Sequence, residues 1–369
     1  MKAIITGGGT GGHIYPAIAV ALELKKRGWD ILYIGAKNGL EKDIAQEWNI
    51  KFKGVNVAPL PRKLNLNLFK SVFINLKGLY QSRKIIKNHQ VDIVFGTGGF
   101  VAGSVVLAGY LAGKATFIHE QNAYPGITNK VLSRFSNKIA INFNEAKNHF
   151  SDKIKDKIIH TGNPVREIIL KTDKKEGIDY FDFSPFAKTI LIFGGSQGAE
   201  SINKSLSGIY KYIKKNDNLQ LIHLTGKKNY KEILSYLEKN NINVQDCPRI
   251  KTISYLEHME YAYSVSDLVI SRAGATALSE ITAKGIAAIL IPYPHATDNH
   301  QKYNAKYLTK NNAAVMIEEN NLNEKKLLEV LKSIINDEKL LKEMSENSYK
   351  LGKRDSATLI ANKIEEIVI

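Results

Sequence analysis

The 369-residue chain has little cysteine: Cys247 stands alone, so no disulfide can form within it. That usage fits a reducing compartment. Proline is scarce too, with nine in all, and no low-complexity tract or solenoid-length repeat occurs. Long disordered segments and repeat arrays are thereby excluded. No run approaches the ~18 apolar residues a membrane span requires. The opening MKAIITGGGTGGH turns to glycine after a few apolar residues, too soon for a signal peptide. The chain therefore reads as soluble, or as bound to a membrane surface.

Acidic residues are absent from one long window. None lies between Glu47 and Asp92, whereas Lys51, Lys53, Arg62, Lys63, Lys70, Lys77, Arg83, Lys84 and Lys87 all do. The net charge of +16 is thus concentrated, and it points to an anionic partner. Within that window Leu68, Phe69, Val72, Phe73, Leu76 and Leu79 share one helical face, and Lys70, Lys77, Lys84 and Lys87 lie off it. Two readings are open: a helix packed on its sheet, or a patch that rests on anionic lipid.

What is present is a balance of 44% hydrophobic and 24% charged residues, as in folded proteins, and a length that suits two domains. Short β-branched runs at residues 3–6, 31–34, 92–95, 115–118 and 138–141 alternate with amphipathic stretches. The rhythm restarts at 189–193, 219–224, 268–270 and 288–291. Such alternation predicts an α/β protein of two Rossmann-like, doubly wound domains with parallel sheets. Gly162-Asn163-Pro164 marks the boundary, giving domains of 1–163 and 164–340. Residues 172–186 read as a loop, and closing helices within 341–369 are expected to pack back on the first domain.

Three strands run into glycine turns, at residues 7–12, 96–99 and 194–198. Glycine permits a tight turn and a close backbone approach to a phosphate, although such turns also serve geometry alone. Gly7, Gly9 and Gly12 match the spacing of dinucleotide folds, but the second strand ends Ile34-Gly35-Ala36-Lys37-Asn38 with no acid for a ribose. That counts against a nicotinamide oxidoreductase. The most informative stretch is SRAGATALSE, 271–280, where small residues open a helix whose N-terminus can receive a diphosphate. Glu280 is placed to accept from ribose hydroxyls, or serves as an ordinary carboxylate near a helix start.

With GGGTGGHIYP (7–16), GTGGFVAG (96–103), HEQNAYPGITNK (119–130), TGNPVR (161–166), GGSQGA (194–199), SRAGATALSE (271–280) and HATDNHQKYNA (295–305) in this order, the chain resembles the MurG family of GT-B glycosyltransferases over nearly its full length. The resemblance implies an acceptor domain in the N-terminal half, a donor domain in the C-terminal half and a cleft between them. It implies inverting transfer of N-acetylglucosamine from UDP-N-acetylglucosamine to the C4 hydroxyl of undecaprenyl-diphosphate-N-acetylmuramoyl-pentapeptide (lipid I). It also implies work at the cytoplasmic face of the cell membrane as a peripheral protein, with cell-wall and division proteins as further partners. By the same resemblance Thr10, Gly11, Gly12, Asn122, Arg166, Ser196, Leu256, Gln301 and Glu280 contact the donor, along with Ala275, Thr276, Ala277, Leu278 and Ser279 of the helix start.

No cofactor is expected beyond the donor substrate. The chain has no Asp-x-Asp, the metal–nucleotide device of other glycosyltransferases, so no metal is expected. Helix ends, glycine turns and Arg166 would carry the diphosphate charge instead. His13, after the first glycine turn, is the candidate base, with loop positioning or phosphate binding as its other readings. His119 and Glu120 are reserves. The membrane patch would comprise Leu68, Phe69, Lys70, Phe73, Lys77 and Lys84. The rivals are another GT-B enzyme, a UDP-N-acetylglucosamine 2-epimerase, and a nucleic-acid-binding protein, for which no aromatic stacking module or known motif is present.

Overall fold

The structure, a computed structural model, describes residues 1–61, 66–195, 198–244 and 247–368. Ser196 lies outside the described residues, as do Arg62 and Lys63 of the basic window. The chain divides into two units, Met1–Arg166 with Lys353–Ile369, and Glu167–Gly352.

The first unit carries seven strands: β1 (Lys2–Thr6), β2 (Asp30–Ala36), β3 (Lys51–Val55), β4 (Ile93–Gly96), β5 (Ala115–Glu120), β6 (Lys138–Ile141) and β7 (Ile158–His160). They pair in parallel in the order β3-β2-β1-β4-β5-β6-β7. The central strands are buried on both faces, as their unbroken apolar runs require. One side of the sheet packs Ile14, Ile18 and Leu24 with Trp29 and Phe117, and the other packs Val101, Val105 and Val106.

The second unit carries β8 (Lys188–Phe193), β9 (Leu219–Leu224), β10 (Ile250–Ile253), β11 (Leu268–Ser271), β12 (Ala287–Leu290) and β13 (Ala314–Met316). Its parallel order is β10-β9-β8-β11-β12-β13. Ile190, Ile192, Leu221 and Ile270 lie in its core beside Leu327 and Leu331. Both halves are thus doubly wound Rossmann-like α/β units, as the alternating sequence predicts.

Two local differences have clear causes. Residues 172–186, read as a loop, contain the helix Lys174–Phe181. A reciprocal cap starts it: Asp173 accepts from the Glu176 N–H while Glu176 accepts from the Asp173 N–H. The last two helices also part company. Ser356–Val368 buries Ile360, Ala361 and Ile364 in the first unit's core, whereas Glu338–Leu351 packs on the helix Ala275–Lys284 and on β12 in the second. Residues 341–352 therefore differ from the expectation of a return to the first unit, because Leu341 and Met344 find their apolar neighbours in the second core.

Candidate active site

In the first unit the strand order reverses between β1 and β4, the place where doubly wound sheets bind ligands. Register pairs Thr6 with Gly96 and Gly96 with Ile118, so the turns after β1, β4 and β5 open side by side. They touch closely. A methyl on Gly7 would stand 2.0 Å from Thr97 Oγ1, and one on Gly99 would stand 2.2 Å from the Gly8 carbonyl. Only glycine allows this contact.

Thr10 caps the helix Gly11–Lys26, which brings His13 into its first turn. Thr10 and Gly12 are exposed, while Gly11 and His13 are half-buried. His13 Nδ1 lies 2.9 Å from the Thr97 carbonyl and 3.1 Å from Gln121 Oε1. Gln121 Nε2 lies 3.0 Å from His119 Nδ1 and 2.7 Å from the same Thr97 carbonyl. His119 Nε2 lies 2.9 Å from the Gly162 carbonyl. Burial pulls the His119 pKa down to about 4, so this imidazole is neutral. Its two nitrogens are engaged and it is fully buried.

Glu120 faces the other way. Its Oε1 accepts from the Asn122 N–H and amide, and its Oε2 accepts from the Gly126 N–H and Asn129 Nδ2. This carboxylate shapes the loop that holds Asn122. Neither reserve residue is placed to take a proton from a substrate. Arg166, the last residue of the unit before Glu167, stacks its guanidinium over Tyr15 at 4.7 Å.

One acid was not anticipated. Glu41, five residues beyond β2, folds back so that Oε1 accepts the Ala36 N–H at 2.7 Å. It is fully buried, and a methyl on Gly8, Gly35 or Gly39 would collide with it. The carboxylate therefore braces the turns from behind. The glycines at 35 and 39 were its sequence signal.

In the second unit the order reverses between β8 and β11, and Phe193 pairs with Ser271. The turns after these strands are again neighbours. Among the described residues, a methyl on Gly274 would meet nothing within 4 Å, and one on Gly195 likewise, so neither turn is filled by them. Gly274 caps the helix Ala275–Lys284, whose first three positions are Ala275, Thr276 and Ala277. Their N–H groups point out of the helix end. The Leu278 side chain is in the core and its N–H bonds the Gly274 carbonyl. Ser279 Oγ donates to the Ala275 carbonyl, and Glu280 is largely buried.

Gln301 Oε1 accepts from the Ala273 and Tyr293 N–H groups, at 3.2 and 3.0 Å. With that oxygen committed, Nε2 is the end of the amide directed to donate. Arg272, to which the sequence reading gave no role, pairs with Glu319 and reaches Ser201 Oγ at 3.0 Å. Burial opposes the charge on Glu319, but hydrogen bonds from Arg272 and Ser201 outweigh it and hold its carboxyl below the usual range. Leu256 is buried just past β10.

Lys51 and Lys53 lie in β3, and the later part of the basic window forms the helix Leu66–His89. Its inner side is lined by Ser71, Gly78, Ser82 and Ile86; Gly78 lies so close to the Asn56 carbonyl that a methyl would stand 2.3 Å away. Phe69, Val72, Phe73, Leu76 and Tyr80 are exposed, the two phenylalanines by 74% and 71%. Lys70, Lys77 and Lys84 are exposed beside them, whereas Leu68 and Leu79 are half-buried. Among the described residues no helix is long and apolar enough to cross a membrane, and no three His, Cys, Asp or Glu side chains converge.

Two parallel sheets, each with glycine turns and a helix N-terminus at its switch point, define a protein of two Rossmann-like domains of the nucleotide-binding kind. Residues 3–141 match the glycosyltransferase family 28 N-terminal domain, and residues 189–360 match the family 28 C-terminal domain. The chain is 49% identical over 366 residues to the UDP-N-acetylglucosamine–N-acetylmuramyl-(pentapeptide) pyrophosphoryl-undecaprenol N-acetylglucosamine transferase of Halothermothrix orenii, covering 99% of each. It is 40% identical to the Bacillus subtilis protein of the same name, covering 100% of this chain and 99% of that one. Among solved structures it is similar to Acinetobacter baumannii MurG, at 27% identity and a TM-score of 0.76 over 99% of both chains. The fold is shared with S. aureus MnaA solved with UDP, at 16% identity and a TM-score of 0.72, covering 99% of this chain and 96% of that one. The chain belongs to the family of UDP-N-acetylglucosamine–N-acetylmuramyl-(pentapeptide) pyrophosphoryl-undecaprenol N-acetylglucosamine transferases.

Proposed function

We propose that this enzyme moves N-acetylglucosamine from UDP-N-acetylglucosamine to the C4 hydroxyl of lipid I, with inversion, in peptidoglycan synthesis. The observation that carries the reading is the full-length likeness to transferases of that name, joined to glycine turns and a helix N-terminus at the switch point of each sheet. In this reading the second unit takes the donor. The N–H groups of Ala275, Thr276 and Ala277, with the helix dipole behind them, receive the diphosphate. Glu280 serves the ribose, Gln301 donates to a sugar hydroxyl through Nε2, and the backbone at Leu256 meets the base. Asn122, Arg166 and the turn Thr10-Gly11-Gly12 complete the donor contacts.

His13 then removes the C4 proton as the hydroxyl attacks the anomeric carbon and the UDP anion leaves. Its Nδ1 is held by the protein, so Nε2 is the nitrogen that accepts. No divalent ion is needed if helix ends and arginine meet the leaving charge. His13→Ala is expected to lower kcat by roughly 10²–10⁴-fold while UDP-N-acetylglucosamine still binds. Near-normal turnover in that variant defeats the base assignment. Turnover is expected to persist after exhaustive chelation; loss of activity restored by magnesium would count against a metal-free reaction.

The exposed apolar face of the helix Leu66–His89 supports peripheral binding to an anionic bilayer at the cytoplasmic face of the membrane. Phe69 and Phe73 would enter the headgroup layer, with Lys70, Lys77 and Lys84 on the phosphates.

A further inference from the structure

We propose that Gln121 and His119 are positioning residues that fix His13 in its Nδ1–H tautomer and so leave Nε2 bare for the acceptor proton. The inference rests on the reading of His13 as the base and extends it to two buried side chains behind it.

The assignment follows link by link. The Gly162 carbonyl can only accept, so the His119 nitrogen 2.9 Å from it, Nε2, carries a proton. A neutral His119 has one proton, so its Nδ1 is an acceptor and must face a donor. That donor is Gln121 Nε2 at 3.0 Å, which fixes the orientation of the amide. Gln121 Nε2 also lies 2.7 Å from the Thr97 carbonyl, an arrangement the opposite orientation would make repulsive. Gln121 Oε1 consequently turns toward His13, and His13 Nδ1 faces two acceptors, this oxygen at 3.1 Å and the Thr97 carbonyl at 2.9 Å. A proton at Nδ1 satisfies both. Among the described residues His119 is the titratable group that faces His13 through this chain.

Three supports make the relay rigid. Gly162 has a φ of +78°, and a methyl there would press on Lys353. The Thr161 hydroxyl also donates to the Gly162 carbonyl. Asn129 Nδ2 bonds the His119 carbonyl at 3.0 Å. A ring held this way cannot turn to offer the wrong nitrogen.

The test uses the full-length enzyme with ¹⁵N-labelled histidine. In the wild type, long-range ¹H–¹⁵N spectra are expected to show His13 as the Nδ1–H tautomer; an Nε2–H tautomer overturns the proposal at once, with no variant needed. Gln121→Glu then places a carboxylate against Nδ1–H, which favours the imidazolium. The His13 titration and the acidic limb of the kcat/KM profile should both move up by about one pH unit or more. A Gln121 that does not meet His13 would move neither, and a His13 that is not the base would leave the kinetic limb in place. If the His13 titration does not move in a folded variant that binds UDP-N-acetylglucosamine, the contact is wrong and the proposal fails there. If the titration moves but the kinetic limb does not, the contact stands, and the proposal fails because His13 is not the base.

Discussion

Gly98 has a φ of +100°, and a methyl on it would lie 3.2 Å from the His13 ring and 3.1 Å from Asn129 Nδ2. Gly98→Ala therefore combines an unfavourable backbone conformation, about 1–2 kcal/mol, with pressure on the His13 ring. The expected result is a Tm lowered by a few degrees and a kcat lowered at least tenfold, with the KM for the sugar nucleotide little changed. Stability and steady-state kinetics on the same preparation check both parts. In the second unit, Arg272 and Glu319 make a half-buried pair. Arg272→Met leaves a carboxylate with fewer donors and should cost about 2 kcal/mol near neutrality. Because the folded Glu319 carboxyl titrates below its unfolded value, the pair contributes fully above the ordinary carboxyl range. That contribution is lost as pH falls through the lower folded value. The wild-type Tm should decline across that acid window, and the variant's decline should be shallower. The candidate residues were legible as motifs, but their partners were not. Arg272 and Glu319 are 47 positions apart, and His119 and Gln121 show only an i, i+2 spacing across the end of β5.

At the scale of elements, the strands that the sequence reveals are those in the middle of each sheet. The four it does not reveal are β3, β7, β10 and β13, which are the four edges. The physical reason is that an edge strand need not be apolar throughout. β3 reads KFKGV and alternates with solvent, β7 has three residues and β13 has three. Lysine on an edge also discourages pairing with a neighbouring chain. The helix Leu66–His89 shows a second limit of periodicity. Its apolar stripe was visible, but a stripe alone does not say whether it faces the core. The deciding residues are the small ones opposite, Ser71, Gly78 and Ser82, which bury that polar side, with Gly78 set closely against the chain just past β3. Lys70→Gln, Lys77→Gln and Lys84→Gln together should weaken binding to anionic vesicles roughly hundredfold, at about 1 kcal/mol per lysine. Phe69→Ser with Phe73→Ser should also release the protein from vesicles, yet leave the Tm almost unchanged because neither ring is in the core. Unchanged vesicle sedimentation in either variant contradicts the patch.

At the scale of the whole molecule, the two-unit plan was legible from the restart of the strand rhythm, but the fate of the C-terminus was not. Both closing helices are amphipathic, and which core receives each depends on contacts far away in sequence. The helix Ser356–Val368 seats Ile360, Ala361 and Ile364 beside Trp29 and Ile18, and Glu365 bonds Arg27 at 2.8 Å. Burying the two isoleucines is worth about 5 kcal/mol, comparable with the whole stability of a modest domain. A chain ending at Gly352 should therefore lose the calorimetric transition of the first unit while the second still melts cooperatively and still binds UDP. A first transition that survives truncation would refute this. For a chain made from its N-terminus onward, the arrangement has a temporal result. The segment Met1–Arg166 cannot finish folding until residues 353–369 have been released, so the apolar side chains that receive Ile360, Ala361 and Ile364 must be kept from aggregation throughout the synthesis of the intervening unit. Release of residues 353–369 then becomes the event that licenses the turn carrying His13.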